Sequence, residues 1–391
     1  MTARSLQTGR TVRTACTVRI LADDLTGALD SATAFIGLPG VAGVPVALDA
    51  AGPWPDAAAR VAAVSTGSRD GPLADLPGLL DAAWAWLGGA DIAFKKVDSL
   101  LRGNTFDEVR LAARSGHFDR VVFAPAFPQQ GRLTLGGRLQ LGGATGEPTP
   151  GPTMAERLGD LGLPLDLPEV RSDADLLALA RRALDPAARR WLWCGSAGLA
   201  QALAAVLAED AAAAVASNAA VPASPGGPLL VVSASHQVVT RRQWARLQAE
   251  RPDAIRADAG DEAALAAALQ ALAEAGPDSG VTALLDLSPP TMRPAAEAAA
   301  LRDRGLAAIA RQAPRPGRLV VIGGDTLLGL CQATGARGLI AVRGLRPGWG
   351  QARWLGGAWD GVVCHSRSGA FGGDEDLVAL VDRLDAGSDG H

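Results

Sequence analysis

Two lysines stand among the 37 basic residues of this chain, and they are adjacent: Lys95 and Lys96. They open the stretch Lys95-Lys96-Val97-Asp98-Ser99-Leu100-Leu101-Arg102-Gly103-Asn104. This short run offers three cations, a carboxylate, a hydroxyl, an amide and a glycine. An ammonium is a compact point charge that fits where a planar guanidinium fork does not. Together these groups suit a small anionic ligand rich in hydroxyls. A helix start with solvated charges is the plainer alternative, and the segment alone does not separate the two.

Other polar groups sit where apolar runs end. Asp23 and Asp24 follow the run at 18–22 directly. One is expected to cap the next helix, leaving the other to accept hydrogen bonds from ligand hydroxyls. Arg69 ends a run at 60–64 in the same manner; alone, such a residue is a solvated charge. In the second half, the run 229–232 ends in Ser233-Ala234-Ser235-His236-Gln237, and 319–322 ends in Gly323-Gly324-Asp325-Thr326. Glycines there let a phosphate approach the backbone, and unsatisfied N–H groups at a helix start favour negative charge. The same turns are equally readable as helix caps, with Asp325 or Thr326 as the capping residue. Ser366-Arg367-Ser368-Gly369-Ala370-Phe371-Gly372-Gly373 is a third segment of this kind. No GxxxxGK[ST] loop occurs. Gly131-Arg132 reads as a turn more readily than an anion contact. His117 and His236 have no visible partner, and Ser196 lies outside any GxSxG elbow.

Short apolar strands alternating with helical stretches must position these groups. Strands are expected at 18–22, 44–48, 60–64, 91–94, 120–128 and 190–194, then at 229–232, 282–287, 318–322 and 338–342. Helices are expected at 28–35, 76–87, 106–115, out of the turn at 195–200 to about 207, from about 240, at 262–275 and at 327–334. The fold class is α/β: two domains with mostly parallel sheets flanked by helices, and ligands at the carboxyl ends of the strands. The segment 131–163 is rich in glycine and proline and reads as a long loop, or flap. The expected division is an extension at 1–17, a first domain at 18–208, a linker at 209–228 and a second domain at 229–391. The extension reads as disordered, or as a start codon placed too early.

Composition narrows the function. With 391 residues, 48% hydrophobic and 20% charged, the chain is ordinary for a globular protein. A net charge of -4 argues against nucleic acid as the main partner. No apolar run approaches the ~18 residues of a membrane span. Four scattered cysteines and four histidines show neither a disulfide framework nor zinc spacing, so no metal site is expected and a cytoplasmic setting fits. There is no tyrosine.

In order along the chain, six segments resemble the four-carbon acid sugar kinases: residues 22–30 (ADDLTGALD), residues 95–104, Pro125-Ala126-Phe127-Pro128 with Gly131-Arg132, Gly195-Ser196-Ala197-Gly198-Leu199-Ala200, Gly323-Gly324-Asp325-Thr326, and Ser368-Gly369-Ala370-Phe371-Gly372. The resemblance implies ATP-dependent phosphorylation of a hydroxyl of a tetronate, threonate, erythronate or 3-oxo-tetronate. It also implies ATP and Mg²⁺ as cofactors and an active site between an acid-sugar domain and a nucleotide domain. A homodimer is left open. On this reading Arg69, Lys96 and Arg102 clamp the substrate carboxylate and Asp24 and Asp98 hold hydroxyls. Ser99, Gly103 and Asn104 complete that side. Ser233, Ser235, Gly323, Gly324, Asp325, Thr326, Gly369, Phe371 and Gly372 serve the nucleotide. Asp24, Asp98 and Asp325 are the candidate bases; Asp325 is alternatively a Mg²⁺ ligand or a cap. The chain departs from the family pattern at Leu100, Ala234 and Arg367, where a hydroxyl, a glycine and a lysine are usual. Its 136–163 segment is also short, with Glu147-Pro148 in place of the usual Asp-Pro. Those departures motivate a rival, a non-catalytic sugar-acid sensor. A nicotinamide-dependent dehydrogenase is disfavoured by the missing GxGxxG.

Overall fold

A computed structural model describes residues 16–211, 227–257, 260–277, 279–289, 291–343 and 349–386. Residues 1–15 of the expected extension and 212–226 of the expected linker lie outside this set. In the first half the strands are β1 (Val18–Ala22), β2 (Val44–Ala47), β3 (Val61–Ser65), β4 (Ile92–Lys96), β5 (Arg120–Ala124), β6 (Arg132–Leu135), β7 (Arg138–Leu141), β8 (Glu147–Pro148), β9 (Leu165–Asp166) and β10 (Trp191–Gly195). In the second half they are β11 (Leu229–Ser233), β12 (Ile255–Ala257), β13 (Thr282–Asp286), β14 (Arg318–Ile322), β15 (Gly338–Val342), β16 (Gly350–Leu355) and β17 (Val363–Arg367). β1, β3, β4 and β11 are buried throughout their length. That burial is what the near-continuous apolar runs require of parallel strands covered on both faces.

Fourteen strands form one mixed sheet in the order β12-β13-β11-β14-β17-β16-β15-β2-β3-β1-β4-β10-β5-β9. Each half contributes a parallel block. Two antiparallel strands, β16 and β15, join the blocks, with β15 pairing antiparallel to β2 through Leu339 opposite Val46. The blocks therefore run in opposite senses along the sheet. The carboxyl ends of β1, β4 and β17 nevertheless meet at one pocket. A single apolar cluster crosses the junction, taking Val18, Leu29 and Val46 from one half and Leu230, Val321 and Trp354 from the other.

Two expectations are corrected. The 131–163 segment is not a structureless flap: β6, β7 and β8 form an antiparallel sheet, followed by a helix at Met154–Leu158. Gly136 and Gly137, both at positive φ, make the two-residue hairpin turn, so glycine content here signalled a turn rather than a loop. β16 and β17 were absent from the expected strands, because their charged and polar residues (GQARWL and VCHSR) break the apolar pattern. Among the described residues no helix is long and apolar enough to cross a membrane.

Candidate active site

Strand geometry separates the two lysines. Lys95 and Lys96 end β4, where successive side chains point to opposite faces. Lys95 Nζ lies 2.6 Å from Glu108 Oε2, and both side chains are buried. Ser68 Oγ donates to the other Glu108 oxygen at 2.8 Å. Burial raises the Glu108 carboxyl above its ordinary range, with Lys95 opposing. Lys96 emerges on the other face. Its Nζ stands 3.1 Å from the position a Cβ on Gly27 would take, so glycine there leaves the ammonium its room. Among the described residues the Lys96 ammonium has no hydrogen bond or ion pair.

The surrounding charges are, by contrast, satisfied. Asp24 caps the helix Leu25–Thr33, accepting from Gly27 N at 2.8 Å. The helix accordingly begins three residues before the expected 28. Asp24 also accepts from Thr26 Oγ1 and from Arg69 Nη1, each at 2.7 Å. Arg69 uses its other edge on buried Asp23, Nε at 2.9 Å and Nη2 at 2.8 Å. Asp98 takes Arg102 bidentately, at 2.8 and 2.7 Å, and also the backbone N–H groups of Leu100 and Arg102. Leu101 sits at φ 58, left-handed for a branched residue, in the turn that aims those N–H groups. Burial would raise both carboxyls. At Asp24 it is outweighed by Arg69 and then Lys96; at Asp98 by the Arg102 hydrogen bonds and then Arg69. Both are held below the usual carboxylate range. Asn104 Nδ2 donates to Ser68 O and Gly71 O at 2.8 Å, tying this loop to its neighbour. Gly103, at φ 62, packs against the Arg69 backbone. Ser99 Oγ accepts from Arg132, whose guanidinium lies 4.7 Å from the Phe371 ring centroid.

From the second half, Ser233, Gly323 and Arg367 come level because β11, β14 and β17 pair in register, Ser233 with Ile322 and Ile322 with Arg367. Gly323, at φ 103, begins the helix Gly324–Ala333 without a side-chain cap, and buried Thr326 lies in its first turn. A Cβ on Gly324 would lie 3.1 Å from Asp24 Oδ2, so this turn abuts the first half directly. Ser235 Oγ and Thr240 Oγ1 pack on Gly369, and Thr240 donates to Gly369 O at 2.7 Å. Gly372, at φ 88, leaves space for Arg367 and Asp376.

One pocket collects these surfaces, enclosing about 470 Å³ of space partly open to solvent. Of the expected site residues Asp24, Arg69, Lys96, Asp98, Ser99 and Phe371 line it, whereas Arg102, Gly103, Asn104, Thr326 and Gly372 do not. Asp325 does not: its side chain is 80% exposed and faces Arg302, with Nη1 at 3.4 Å. Ser233, Ser235, Gly323, Gly324 and Gly369 flank the pocket without lining it. Asp30, Ser366 and Arg367 line it and had no assigned role. Asp30 was legible from spacing, since 24, 27 and 30 recur on one helix face. Its carboxylate has no hydrogen bond or ion pair among the described residues. Burial raises its carboxyl, Lys96 opposing and Asp24 reinforcing. Ser366 Oγ and Arg367 Nε and Nη2 are buried and likewise without hydrogen-bond partners. Lys96, Asp30, Ser366 and Arg367 thus present unsatisfied polar groups from both halves to one space.

The lining brings cationic, carboxylate and hydroxyl groups together in one space, and the uncapped N–H groups after Gly323 lie beside it. Among the described residues no group of three His, Cys, Asp or Glu side chains could cage a metal. Mg²⁺ arriving on phosphates needs no such cage.

A family model described as a sugar-binding N-terminal domain matches residues 18–158, and one described as a nucleotide-binding C-terminal domain matches 230–377. The chain is 30% identical to a D-threonate kinase of Bordetella bronchiseptica, covering 94% of this chain and 97% of that protein. It is 32% identical to a D-threonate kinase of Cupriavidus necator over 59% of this chain and 63% of that one. A solved structure from Salmonella typhimurium LT2 superposes with a TM-score of 0.69 at 19% identity, covering 93% of this chain and 98% of that one, and shares the fold.

Proposed function

This chain belongs to the four-carbon acid sugar kinase family, and from that premise we propose that it transfers the terminal phosphoryl group of Mg-ATP to a hydroxyl of a four-carbon sugar acid, D-threonate foremost. The observation that carries this reading is the set of unsatisfied polar groups from both halves around one pocket. Buried donors without protein partners are costly unless water or a ligand supplies acceptors, and a polar ligand in this pocket would do so.

Lys96 binds the acid's carboxylate. Asp24, Arg69, Asp98 and Arg102 fix the pocket wall, their charges already neutralised by one another. Asp24 and Asp98 keep carboxylate lone pairs for substrate hydroxyls. The glycine turn after β14, with Ser233, Ser235 and Gly369 alongside, receives the nucleotide phosphates. ATP supplies the activated phosphoryl group, and Mg²⁺ on its oxygens offsets their charge. In the transfer, a substrate hydroxyl oxygen forms a bond to the terminal phosphorus as the bond from that phosphorus to the bridging oxygen breaks. ADP leaves with that electron pair. Asp30, the unpaired carboxylate, accepts the hydroxyl proton. Positioning and charge stabilisation account for most of such catalysis.

A screen of D-threonate, other tetronates and 3-oxo-tetronates with Mg-ATP, followed by ADP release, tests the reading. Turnover of at least one C4 acid is expected. Binding of the acid by calorimetry without any ATP-dependent product would replace the kinase with the sensor suggested by Leu100, Ala234 and Arg367.

A further inference from the structure

Arg367 ends β17 with its side chain 2% exposed. Its guanidinium carbon lies 4.6 Å from the Trp349 ring centroid, a cation over an aromatic face. Among the described residues Nε and Nη2 have no hydrogen-bond partner. These two atoms share one edge of the guanidinium, the edge that takes two oxygens of one phosphate or carboxylate. The backbone oxygen of Arg367 accepts from Gly323 N at 2.9 Å, which locks the residue to the glycine turn. Its side chain meanwhile lines the pocket shared with Lys96 and Asp24. Burial, opposed only in part by Asp376, pushes the guanidinium down to about 10.

The other cations of the pocket differ in a way that assigns the work. Arg69 and Arg102 are committed to carboxylates. Lys96 is open but belongs to the first half. The second half contains no lysine. Among the described residues Arg367 is therefore the buried cation that the second half brings to the pocket with an unpaired edge. Asp376 offsets part of this charge without forming an ion pair, and buried donors left unpaired on the Nε–Nη2 edge are unfavourable until a ligand supplies acceptors.

We propose that Arg367 contacts the terminal phosphoryl group of the nucleotide, its Nε–Nη2 edge donating to two of that group's oxygens. This assignment rests on the kinase reading. The atoms and electrons of the transfer are those given above; Arg367 stabilises the charge spread over the phosphoryl oxygens and exchanges no proton.

Titration calorimetry of the full chain with Mg-ADP, and with Mg²⁺ and adenylyl imidodiphosphate, separates the terminal phosphate from the rest of the nucleotide. In Arg367→Met, affinity for the imidodiphosphate analogue should fall roughly 10- to 100-fold, the loss of a charge-assisted pair. Affinity for ADP should stay within roughly threefold. Arg367→Lys keeps the charge but not the fork, and should recover part of the lost discrimination. If both nucleotides weaken equally, or neither changes, the proposal is overturned, because a residue serving only the fold does not single out one phosphate. Arg367→Gln is read by the same two titrations should the methionine variant not fold. Wild-type protein that binds neither nucleotide and turns over no sugar acid would overturn the kinase reading. Wild-type protein that binds both, beside an unchanged variant, would overturn only the role of Arg367.

Discussion

Two regions face the same pocket with opposite charge economies. On the wall built from β1, β3 and β4, every strong charge but one is answered: Asp23 and Asp24 by Arg69, Asp98 by Arg102, Glu108 by Lys95. In the pocket lining, Lys96 and Asp30 make no hydrogen bond or ion pair among the described residues, and Ser366 Oγ and Arg367 Nε and Nη2 have no hydrogen-bond partner there; only longer-range charges, Lys96 on Asp30 and Asp376 on Arg367, act on them. Charges of the first kind hold geometry. Their pairing roughly repays their desolvation, and removing one partner strands the other. Charges of the second kind are an unfinished set of interactions, and the ligand completes it.

The adjacent lysines give this contrast its sharpest form. Lys95→Met leaves the Glu108 carboxylate buried without a cation. It should cost about 3–5 kcal/mol of folding stability, measured by denaturant unfolding, with kinetics of the folded fraction little changed. The double variant Lys95→Met with Glu108→Gln should recover much of that loss. Lys96→Met should do the reverse. Its melting temperature should hold or rise, while kcat/KM for the acid falls roughly 100-fold or more, the equivalent of losing a charged hydrogen bond. Equal effects of the two substitutions on stability would dissolve the distinction.

Asp30→Asn extends the comparison to an acid. Between the ordinary carboxyl value of about 4 and the raised value in the folded chain, the folded state holds a proton that the unfolded state has lost. Stability therefore falls as pH rises through that window. The asparagine variant escapes this loss. Its melting temperature should exceed that of wild type near neutral pH, and the difference should close below about pH 4. Turnover should meanwhile drop roughly 100- to 10,000-fold with a smaller change in KM, as expected when a proton acceptor is removed. A variant that is both less stable and fully active contradicts both roles of Asp30.

The smallest effect is expected at Asp325. It is exposed and faces Arg302 across the surface, where an ion pair contributes about 0–1 kcal/mol. Asp325→Asn should leave kcat and KM within roughly twofold of wild type. A large loss of Mg-ATP affinity would return this residue to the site.

Much of this was legible in the residues. Apolar runs located β1, β11 and β14; the polar turn after β1 lines the pocket, whereas those after β11 and β14 lie beside it. Partnership was not legible. Arg69 and Asp23 are 46 positions apart, and nothing in either segment says that the arginine is committed. Ending β4 at Phe94 concealed that Lys95 and Lys96 obey strand alternation, and so point apart. Arg367 looked like a substitution in a motif. Only its burial beside Trp349, with one edge left open, makes it a candidate phosphate contact. The β6–β8 hairpin was hidden because glycine serves turns and loops alike, and pairing decides between them.

The most direct test is a crystal structure of the full chain with D-threonate, Mg²⁺ and adenylyl imidodiphosphate. The expected result places the acid in the pocket, its carboxylate within hydrogen-bond distance of Lys96 Nζ. The terminal phosphate would lie on the open edge of Arg367, with the Asp23–Asp24–Arg69 and Asp98–Arg102 pairs unbroken. An acid bound elsewhere, or one that opens those pairs while Lys96 stays free, would contradict the account.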